Sequence, residues 1–196
     1  MELKEEFISR EEIYHGRVVH LHVDTVRLPN GHLTTREVID HPGGIGIVAI
    51  DDNDCVFTVR QYRYPFGKVL EEIPAGKLEP NEVPCDAARR ELREETGATC
   101  DRLTPLGSLL PSPGGFGERL HLFLAEGLHF GEQSPDEDEF LTCVRTPFDE
   151  LLRRVMSGEL EDGKTAAGIL KVHALRTMQK QSTSPTICSG GKSQWK

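Results

Sequence analysis

Three closely spaced glutamates, Glu91, Glu94 and Glu95, lie on a segment whose pattern predicts a helix that ends at Gly97. Residues three and four apart share one face of a helix, so the three carboxylates converge. Like charges repel at this spacing unless a cation lies between them. Because Mg²⁺ prefers carboxylate oxygens, usually together with substrate phosphates, the cluster indicates metal-assisted phosphate chemistry. The alternative is that RRELREE is an ordinary solvated helix face, as most runs of charge are.

The residues around this cluster favour the metal site. Residues 76–98 read GKLEPNEVPCDAARRELREETGA, with Gly76, Glu82, Arg90 and Gly97 at set distances from the glutamates. This segment resembles the Nudix box at each of its defining positions. The resemblance implies that the box binds Mg²⁺, with Mn²⁺ as the alternative, and that the protein hydrolyses a nucleoside diphosphate linked to another group.

Each side chain of the box has an expected role. Glu91 and Glu95, four residues apart, are the predicted metal ligands, and Glu94 joins at a second ion or through a hydrogen bond. By resemblance, the backbone carbonyl of Ala75 is a further ligand. Arg90 is expected to orient the glutamates through charge-assisted hydrogen bonds rather than to touch the substrate.

The resemblance extends over roughly residues 10–178 and narrows to the ADP-ribose pyrophosphatase branch of the Nudix hydrolases. The segments that carry it are YHGRVVHLHVDTVRLPNG, TREVIDHPGG, VRQYRYPFG, LEEIPAGKLEPNE and PSPGGFGERLHLFLAEGL. That branch is marked by a proline sixteen residues beyond the last glycine of the box, and counting from Gly97 reaches Pro113. The expected reaction is therefore Mg²⁺-dependent hydrolysis of ADP-ribose to AMP and ribose 5-phosphate.

The resemblance also implies which residues outside the box meet the substrate. Arg63 is expected to bind the diphosphate, a role that suits the fork of donors on a guanidinium. Arg36 and Glu37 match positions that contact the adenine side, across a dimer interface in relatives. Some relatives have an aromatic residue directly before that glutamate, so the way in which Arg36 holds the base stays open. The other expected substrate-binding residues are Lys77, Ser112, Pro113, Gly114 and Glu118.

The acidic loop SPDEDEF at 134–140 is the candidate source of a general base. Acidic runs in loops are commonly just solvated, and that interpretation has nearly equal weight. By resemblance, a mobile loop at this place supplies the base or a last metal ligand, and its closure over bound substrate would suit a gated site. Alignment with the strand that follows makes Glu139 the best-placed ligand and Glu137 the second choice as base. Glu94 completes the candidate catalytic set.

Composition and charge limit the partners of this chain. It has 196 residues, a net charge of −9 and an isoelectric point near 5.4, which argue against nonspecific binding to nucleic acid or anionic membranes. No apolar run reaches the length of a membrane span. Five cysteines without CxxC spacing favour a reducing, cytoplasmic location. The expected partners are a small nucleotide-sugar substrate and a second copy of the chain in a homodimer.

The elements that position these residues are predicted to form a Nudix-type α/β/α sandwich with a mixed sheet. An alternating strand at 17–28, the turn Asn30-Gly31 and a returning strand at 33–40 predict an N-terminal antiparallel hairpin extension. Further strands are predicted at 45–50, 55–63, 103–110, 119–125 and 139–145. Helices are predicted from Pro84 to Gly97 and at about 147–156 and 163–178.

Three regions are expected along the chain. Residues 1–42 form the strand and hairpin region that is expected to contact the other subunit of the dimer. Residues 43–178 form the Nudix hydrolase domain. Residues 179–196 are rich in Ser, Thr, Gly and Lys, with little to bury, and are expected to be a disordered tail.

Two other functions stay open at this stage. Within the same class, the substrate could be another nucleoside diphosphate sugar such as GDP-mannose, because loops decide the base and sugar contacts. From a different class, a nonenzymatic Nudix-fold protein could sense a nucleotide and regulate a partner. Such a sensor is expected to have lost box glutamates, and here all of them are present.

Overall fold

The N-terminal part of the chain forms a small antiparallel sheet of its own. The computed structural model describes residues 3–135 and 139–183. The first strands are β1 (Glu6–His15), β2 (His20–Arg27) and β3 (Leu33–Asp40), which pair in the order β1-β2-β3. The hairpin between β2 and β3 turns at Asn30 and Gly31, where Gly31 adopts a positive φ of 85°. The predicted hairpin is therefore present, extended by a third strand.

The remaining described strands form a seven-stranded mixed sheet. They are β4 (Gly44–Ile50), β5 (Cys55–Arg63), β6 (Lys68–Glu72), β7 (Ala75–Lys77), β8 (Ala98–Leu109), β9 (Leu120–Phe130) and β10 (Leu141–Pro147). The main path runs β10-β5-β4-β9-β8, while β6 pairs with β5 and β7 pairs with β4. Strands β4 and β9 run parallel, and the other pairings between described strands are antiparallel.

Helices cover both faces of this sheet. They are α1 (Pro84–Thr96), α2 (Phe148–Met156) and α3 (Gly163–Thr183). The side chains of β4 alternate between the two faces, as the period of a strand requires. Ile45 and Ile47 pack with Leu92 of α1, whereas Val48 packs with Ile169 of α3 on the opposite face. The predicted α/β/α sandwich is therefore confirmed, and no helix within the described residues is both long and apolar enough to span a bilayer.

Helix α1 has the start and the end that its sequence predicts. Pro84 occupies the first helical turn, where its missing N–H leaves no hydrogen bond unmade. Gly97 ends the helix in the left-handed conformation with φ of 71°, and its N–H donates to the carbonyl of Arg93 at 2.8 Å. The apolar face of α1 carries Leu92, which is fully buried. This packing sets the rotation of the helix and hence the direction of its glutamates.

Some elements differ from the sequence prediction. Strand β1 was not predicted, because its residues are exposed along the whole strand and carry no alternation between buried and solvent faces. The short strands β6 and β7 were also not predicted, since they lie in the segment LEEIPAGK that carries polar and proline residues. Helix α3 continues to Thr183, beyond the predicted helix end at about 178.

Candidate active site

Arg90 organises the acidic side chains of α1. Its Nε and Nη2 donate to the two carboxylate oxygens of Glu82 at 2.9 and 3.0 Å. Its Nη1 donates to Glu91 at 2.8 Å and to Glu94 at 2.9 Å. The guanidinium therefore holds three carboxylates at once, in the charge-assisted geometry that fixes position as well as charge. The hydrogen bonds predicted from Arg90 to the box glutamates are present, and one of them goes to Glu94.

Glu95 is the most deeply buried carboxylate of the box, with 1% of its surface exposed. Its Oε2 accepts a hydrogen bond of 2.9 Å from the backbone amide of Ala75. Burial raises the pKa of Glu95 to about 8 despite that bond, and the charges of Glu91 and Glu139 add to the rise. A buried carboxylate facing other carboxylates is costly in its charged form unless a cation compensates it.

Glu91 shares this environment from the preceding turn of α1. Burial raises the pKa of its carboxyl, the bonds and charge of Arg90 oppose the rise, and the charges of Glu94 and Glu139 add to it. A Cβ on Gly76 would lie 1.8 Å from Oε1 of Glu91, so only glycine leaves room for this carboxylate beside β7. The need for glycine at position 76 is therefore steric.

The acidic loop comes close to the same carboxylates. Glu139 is half-buried, and its charge reaches both Glu91 and Glu95. Glu137, the second candidate for the base, lies outside the described residues, as do Asp136 and Asp138. The charge of Glu139 therefore acts on both buried carboxylates of the box, and its role as a ligand stays a prediction.

The residues present fit a hard divalent cation. Within 3–135 and 139–183, no three His, Cys, Asp or Glu side chains form a ready-made metal cluster. Glu91 and Glu95 are nevertheless both buried, and no cationic side chain among the residues that the structure describes is bonded to Glu95, so its charge would be compensated only in part. Mg²⁺ usually takes one or two carboxylates and keeps positions for water and substrate phosphates, so it does not need a closed protein cage.

A second group of predicted residues gathers beside the box. Oε1 of Glu118 lies 3.9 Å from Nδ1 of His41, and the charge of Lys77 also reaches this histidine. Burial lowers the pKa of His41 although Glu118 opposes the decrease, and Lys77 adds to it. The carbonyl of Lys77 accepts a bond of 3.3 Å from Arg90. Lys77 and Glu118 therefore lie on the same side of the box, next to His41 and β7.

The loop with Ser112, Pro113 and Gly114 is fastened to the N-terminal sheet. The amide of Ile39 in β3 donates to the carbonyl of Gly115 at 2.8 Å, and the amide of Gly117 donates back to the carbonyl of Ile39 at 2.8 Å. A Cβ on Gly115 would lie 3.2 Å from the carbonyl oxygen of Glu37. The three predicted loop residues are exposed at this junction. The structure therefore brings Glu37 and the predicted substrate loop together.

Arg36 is not part of these groups. Its Nε and Nη2 donate to the carboxylate of Glu5 at 3.0 and 2.5 Å, at the open surface of the N-terminal sheet. Among the described residues, no hydrogen bond or ion pair joins Arg36 to the box. Its expected contact with a base would therefore have to be made from this outer surface.

Arg63 lies at the end of β5 and binds a buried carboxylate. Its Nε and Nη2 each donate to an oxygen of Glu72 at 2.7 Å. Lys164 of α3 donates to the same carboxylate. Sequence reasoning did not single out Glu72, Lys164 or His41. The motif Asp-Gly-Lys-Thr at 162–165 is a recognisable helix start, but nothing in it predicts which strand the helix meets.

A helix with paired buried glutamates, held beside a mixed sheet between helices, defines a Nudix-type domain. The NUDIX domain family matches residues 40–166, and the nucleoside diphosphate sugar hydrolase N-terminal domain matches residues 5–39. The chain therefore belongs to the Nudix family, as its box predicts.

Individual relatives cover most of the chain. An ADP-ribose pyrophosphatase of Bacillus subtilis is 40% identical over 91% of this chain and 98% of its own length. A methanol dehydrogenase activator of Bacillus methanolicus is 42% identical over 85% of this chain and 91% of its own length. Matches over smaller shares of the chain include GDP-mannose pyrophosphatases of Yersinia. A crystal structure of an ADP compounds hydrolase superposes with a TM-score of 0.81 at 22% identity, covering 91% of this chain and 98% of its own, and confirms the fold.

Proposed function

We propose that this protein is a divalent-metal-dependent diphosphatase that hydrolyses ADP-ribose to AMP and ribose 5-phosphate. The observation that carries the proposal is the 40% identity to an ADP-ribose pyrophosphatase along 98% of that relative. The paired burial of Glu91 and Glu95 supports it, because this arrangement suits a cation that meets a charged diphosphate.

The proposed metal ligands are Glu91, Glu95, the carbonyl of Ala75 and Glu139. Glu94, which accepts a hydrogen bond from Arg90, is a further candidate ligand. Mg²⁺ is the proposed ion, and Mn²⁺ is the alternative. When bound, such an ion polarises phosphoryl oxygens and lowers the pKa of a bound water. The protein itself fixes the carboxylates through Arg90 and the amide of Ala75, so they need little rearrangement for catalysis.

The remaining site residues are proposed to bind and orient the substrate. Arg63 presents a fixed guanidinium to the diphosphate. Lys77 and Glu118 line the adjoining wall, with Glu118 near the ribose. The other proposed contacts are Arg36 and Glu37 on the adenine side and Ser112, Pro113 and Gly114 in the loop.

Hydrolysis also needs a group that accepts a proton from the attacking water. Glu139 is the proposed base or last ligand, because its charge already reaches Glu91 and Glu95. Glu137 is the second choice, and Glu94 is the third. One oxygen of Glu94 already accepts a hydrogen bond of 2.9 Å from Arg90, so it is less available than a carboxylate without such a bond.

The protein is further proposed to act as a cytoplasmic homodimer, with residues 1–42 as the dimer contact and 43–178 as the catalytic domain. Support comes from β1, whose large apolar side chains Phe7, Ile13 and Tyr14 are all exposed. A cytoplasmic location suits the four described cysteines, none of which forms a disulfide within the described residues.

A panel of nucleoside diphosphate sugars, assayed with and without Mg²⁺, tests this function. We expect the highest kcat/KM with ADP-ribose, AMP and ribose 5-phosphate as products, and no turnover after chelation. A higher kcat/KM with GDP-mannose would replace the substrate and keep the reaction. Tight binding of a nucleotide with no hydrolysis of any compound in the panel would favour a nonenzymatic sensor.

A second candidate function rests on the similarity to the methanol dehydrogenase activator. The protein would then raise the turnover of an alcohol dehydrogenase, in addition to hydrolysing a free nucleotide sugar. The test is to assay a purified methanol dehydrogenase with and without the protein. A rise that Glu95→Gln abolishes would tie activation to the box, and no rise with active protein would remove this candidate.

A further inference from the structure

Glu72 is a buried carboxylate outside the box that two cations share. Its side chain is 2% exposed, and it lies at the end of β6. Arg63 donates to both of its oxygens at 2.7 Å, and Lys164 donates to one of them. Burial would raise the pKa of Glu72, but these partners hold it below its usual range. The group is therefore a charged, fully engaged bridge between β5, β6 and α3.

Arg63 keeps part of its guanidinium available. The bonds to Glu72 use Nε and Nη2, and the side chain is 38% exposed. The hydrogen bonds that Arg63 donates to Glu72 are the main cause of the raised pKa of Arg63, and the charge of Glu95 adds to it. The guanidinium therefore lies within electrostatic reach of the box, with its Nε–Nη2 edge bonded to Glu72. A planar fork held on one edge is a rigid anion-binding group.

Lys164 is held by its own helix start. Nζ of Lys164 donates to Asp162 at 3.0 Å, and the amide of Thr165 donates to the same carboxylate at 2.9 Å. The hydroxyl of Thr165 in turn accepts a bond of 2.8 Å from the amide of Ile73, the residue after Glu72. The first turn of α3 is thereby locked to the strand that leads to Ala75.

The ammonium of Lys164 also acts on the box. Its side chain is 14% exposed, so water screens its charge only in part. Burial is the main cause of the raised pKa of Glu95, and the charge of Lys164 opposes that rise. Lys164 therefore contacts Glu72, the carboxylate that holds Arg63. Its charge also stabilises the charged form of Glu95, a proposed metal ligand.

We propose that Lys164, acting through Glu72, is a positioning residue that sets Arg63 for the substrate diphosphate. The inference rests on the proposed function, because it requires a diphosphate beside the box. Removing the ammonium would leave Glu72 with Arg63 as its one remaining cation, which would draw the guanidinium inward and weaken its hold on an anion. The clamp accounts for a lysine outside the box that is buried against Glu72, the carboxylate that holds Arg63.

The test is the substitution Lys164→Met in the full-length protein, which keeps the length of the side chain and removes its charge. With ADP-ribose and saturating Mg²⁺, we expect KM to rise about tenfold while kcat changes by less than about threefold. Lys164→Arg restores the cation and is expected to recover most of the affinity. A purely structural role of Lys164 would lower the melting temperature and the amount of active enzyme without moving KM.

Lys171→Met is the matched control. Lys171 lies on the same helix and loses the same charge, but it donates to the carbonyl of Leu106 rather than to Glu72. We expect its KM to stay at the wild-type value. An equal rise in KM for Lys171→Met would mean that net charge, not the clamp, is responsible, and it would overturn the inference.

A second variant keeps the test decisive if Lys164→Met folds poorly. Glu72→Gln preserves shape and one acceptor oxygen, and it is expected to raise KM as well. Because both residues act on Arg63 through one contact, the double variant is expected to be no worse than the more severe single variant. Fully additive effects, or an unchanged KM in active single variants, would overturn the inference alone. A wild-type protein that does not hydrolyse ADP-ribose would instead overturn the proposed function.

Discussion

Oε2 of Glu95 accepts a 2.9 Å hydrogen bond from the backbone amide of Ala75. The bond joins the last turn of α1 to β7, and thereby joins two proposed metal ligands that are twenty positions apart in the chain. A carboxylate held by a backbone amide has one oxygen fixed before any ligand arrives. Such preorganisation reduces the rearrangement that binding and catalysis need.

The first prediction concerns the two buried glutamates of the box. Glu91→Gln and Glu95→Gln are each expected to lower Mg²⁺-dependent kcat with ADP-ribose by at least about 100-fold, because an amide oxygen is a weaker ligand for a hard cation. The circular dichroism spectrum should stay that of the folded protein. Glu126→Gln, which removes an exposed acid paired with Arg102, is the control and should keep full activity. Near-wild-type rates for either box variant would contradict the metal assignment.

Gly76→Ala separates activity from stability. The new Cβ would meet the carboxylate of Glu91, the far end of a side chain that can swing aside. We therefore expect the free energy of unfolding to fall by less than about 1 kcal/mol, while kcat/KM falls by about 100-fold as Glu91 is displaced. Denaturant unfolding and steady-state kinetics measure the two effects. Gly163→Ala is the control, because a Cβ at this position meets open space, and it should change neither the free energy of unfolding nor kcat/KM by much. A fully active Gly76→Ala enzyme would contradict the steric role of Gly76.

The third prediction distinguishes the acids of the loop. Glu139→Gln is expected to lower kcat by about 100-fold with a smaller change in KM, as removal of a base or last ligand does. Glu137→Gln is expected to have the smaller effect. Parallel kinetic measurements on both variants give the answer, and the opposite order would transfer the proposed role to Glu137.

The fourth prediction tests the dimer contact of the N-terminal sheet. Phe7 and Ile13 of β1 are 58% and 51% exposed, so aspartates at both positions leave the folded subunit intact but oppose burial in an interface. Analytical ultracentrifugation should show a dimer for the wild type and a monomer for the double variant. KM should rise in the monomer, because Arg36 and Glu37 are proposed to act across the interface. Met156→Asp, on an exposed apolar site of α2, is the control that should stay dimeric.

The fifth prediction uses a buried carboxylate away from the box. Burial alone would raise the pKa of Glu71, but bonds from Arg154, Arg60 and Thr58 hold it below its usual value of 4.5. A lowered folded pKa means that the charged form stabilises the protein above about pH 4.5, and that this contribution is lost as pH falls below it. Glu71→Gln should therefore cost about 3 kcal/mol of unfolding free energy at pH 7. The difference in unfolding free energy between variant and wild type should shrink below pH 4.5, as measured by urea titrations at pH 7 and below pH 4.5. A difference independent of pH would contradict the role of the charge of Glu71.

Much of the fold could be predicted because its signals are local. The periodicity of strands β2 to β5 and β8 to β10 and of the three helices is carried by residues close together in the chain. Strand β1 could not be predicted, because its exposed side chains give no buried face to detect. Its pairing depends on the register of β2, which is a property of the folded sheet.

The candidate site could likewise be predicted only where its residues are close together in the chain. Arg90, Glu91 and Glu95 could be grouped from the sequence because one helix carries all three at fixed spacing. The link between Glu72 and Lys164 could not, because these residues are far apart in the chain and meet only where α3 packs on the sheet.

The sequence by itself predicted the chemistry of this protein. A run of glutamates on one helix that ends at Gly97 predicts a cation-binding helix, since helical spacing alone makes the carboxylates converge. Only the tertiary structure decided which partner each of these side chains has. Arg90 donates to Glu94, the amide of Ala75 donates to Glu95, and Arg63 donates to Glu72. Those contacts depend on how β6, β7 and α3 pack around α1, because hydrogen bonds act over ångströms in space and not over positions in the chain.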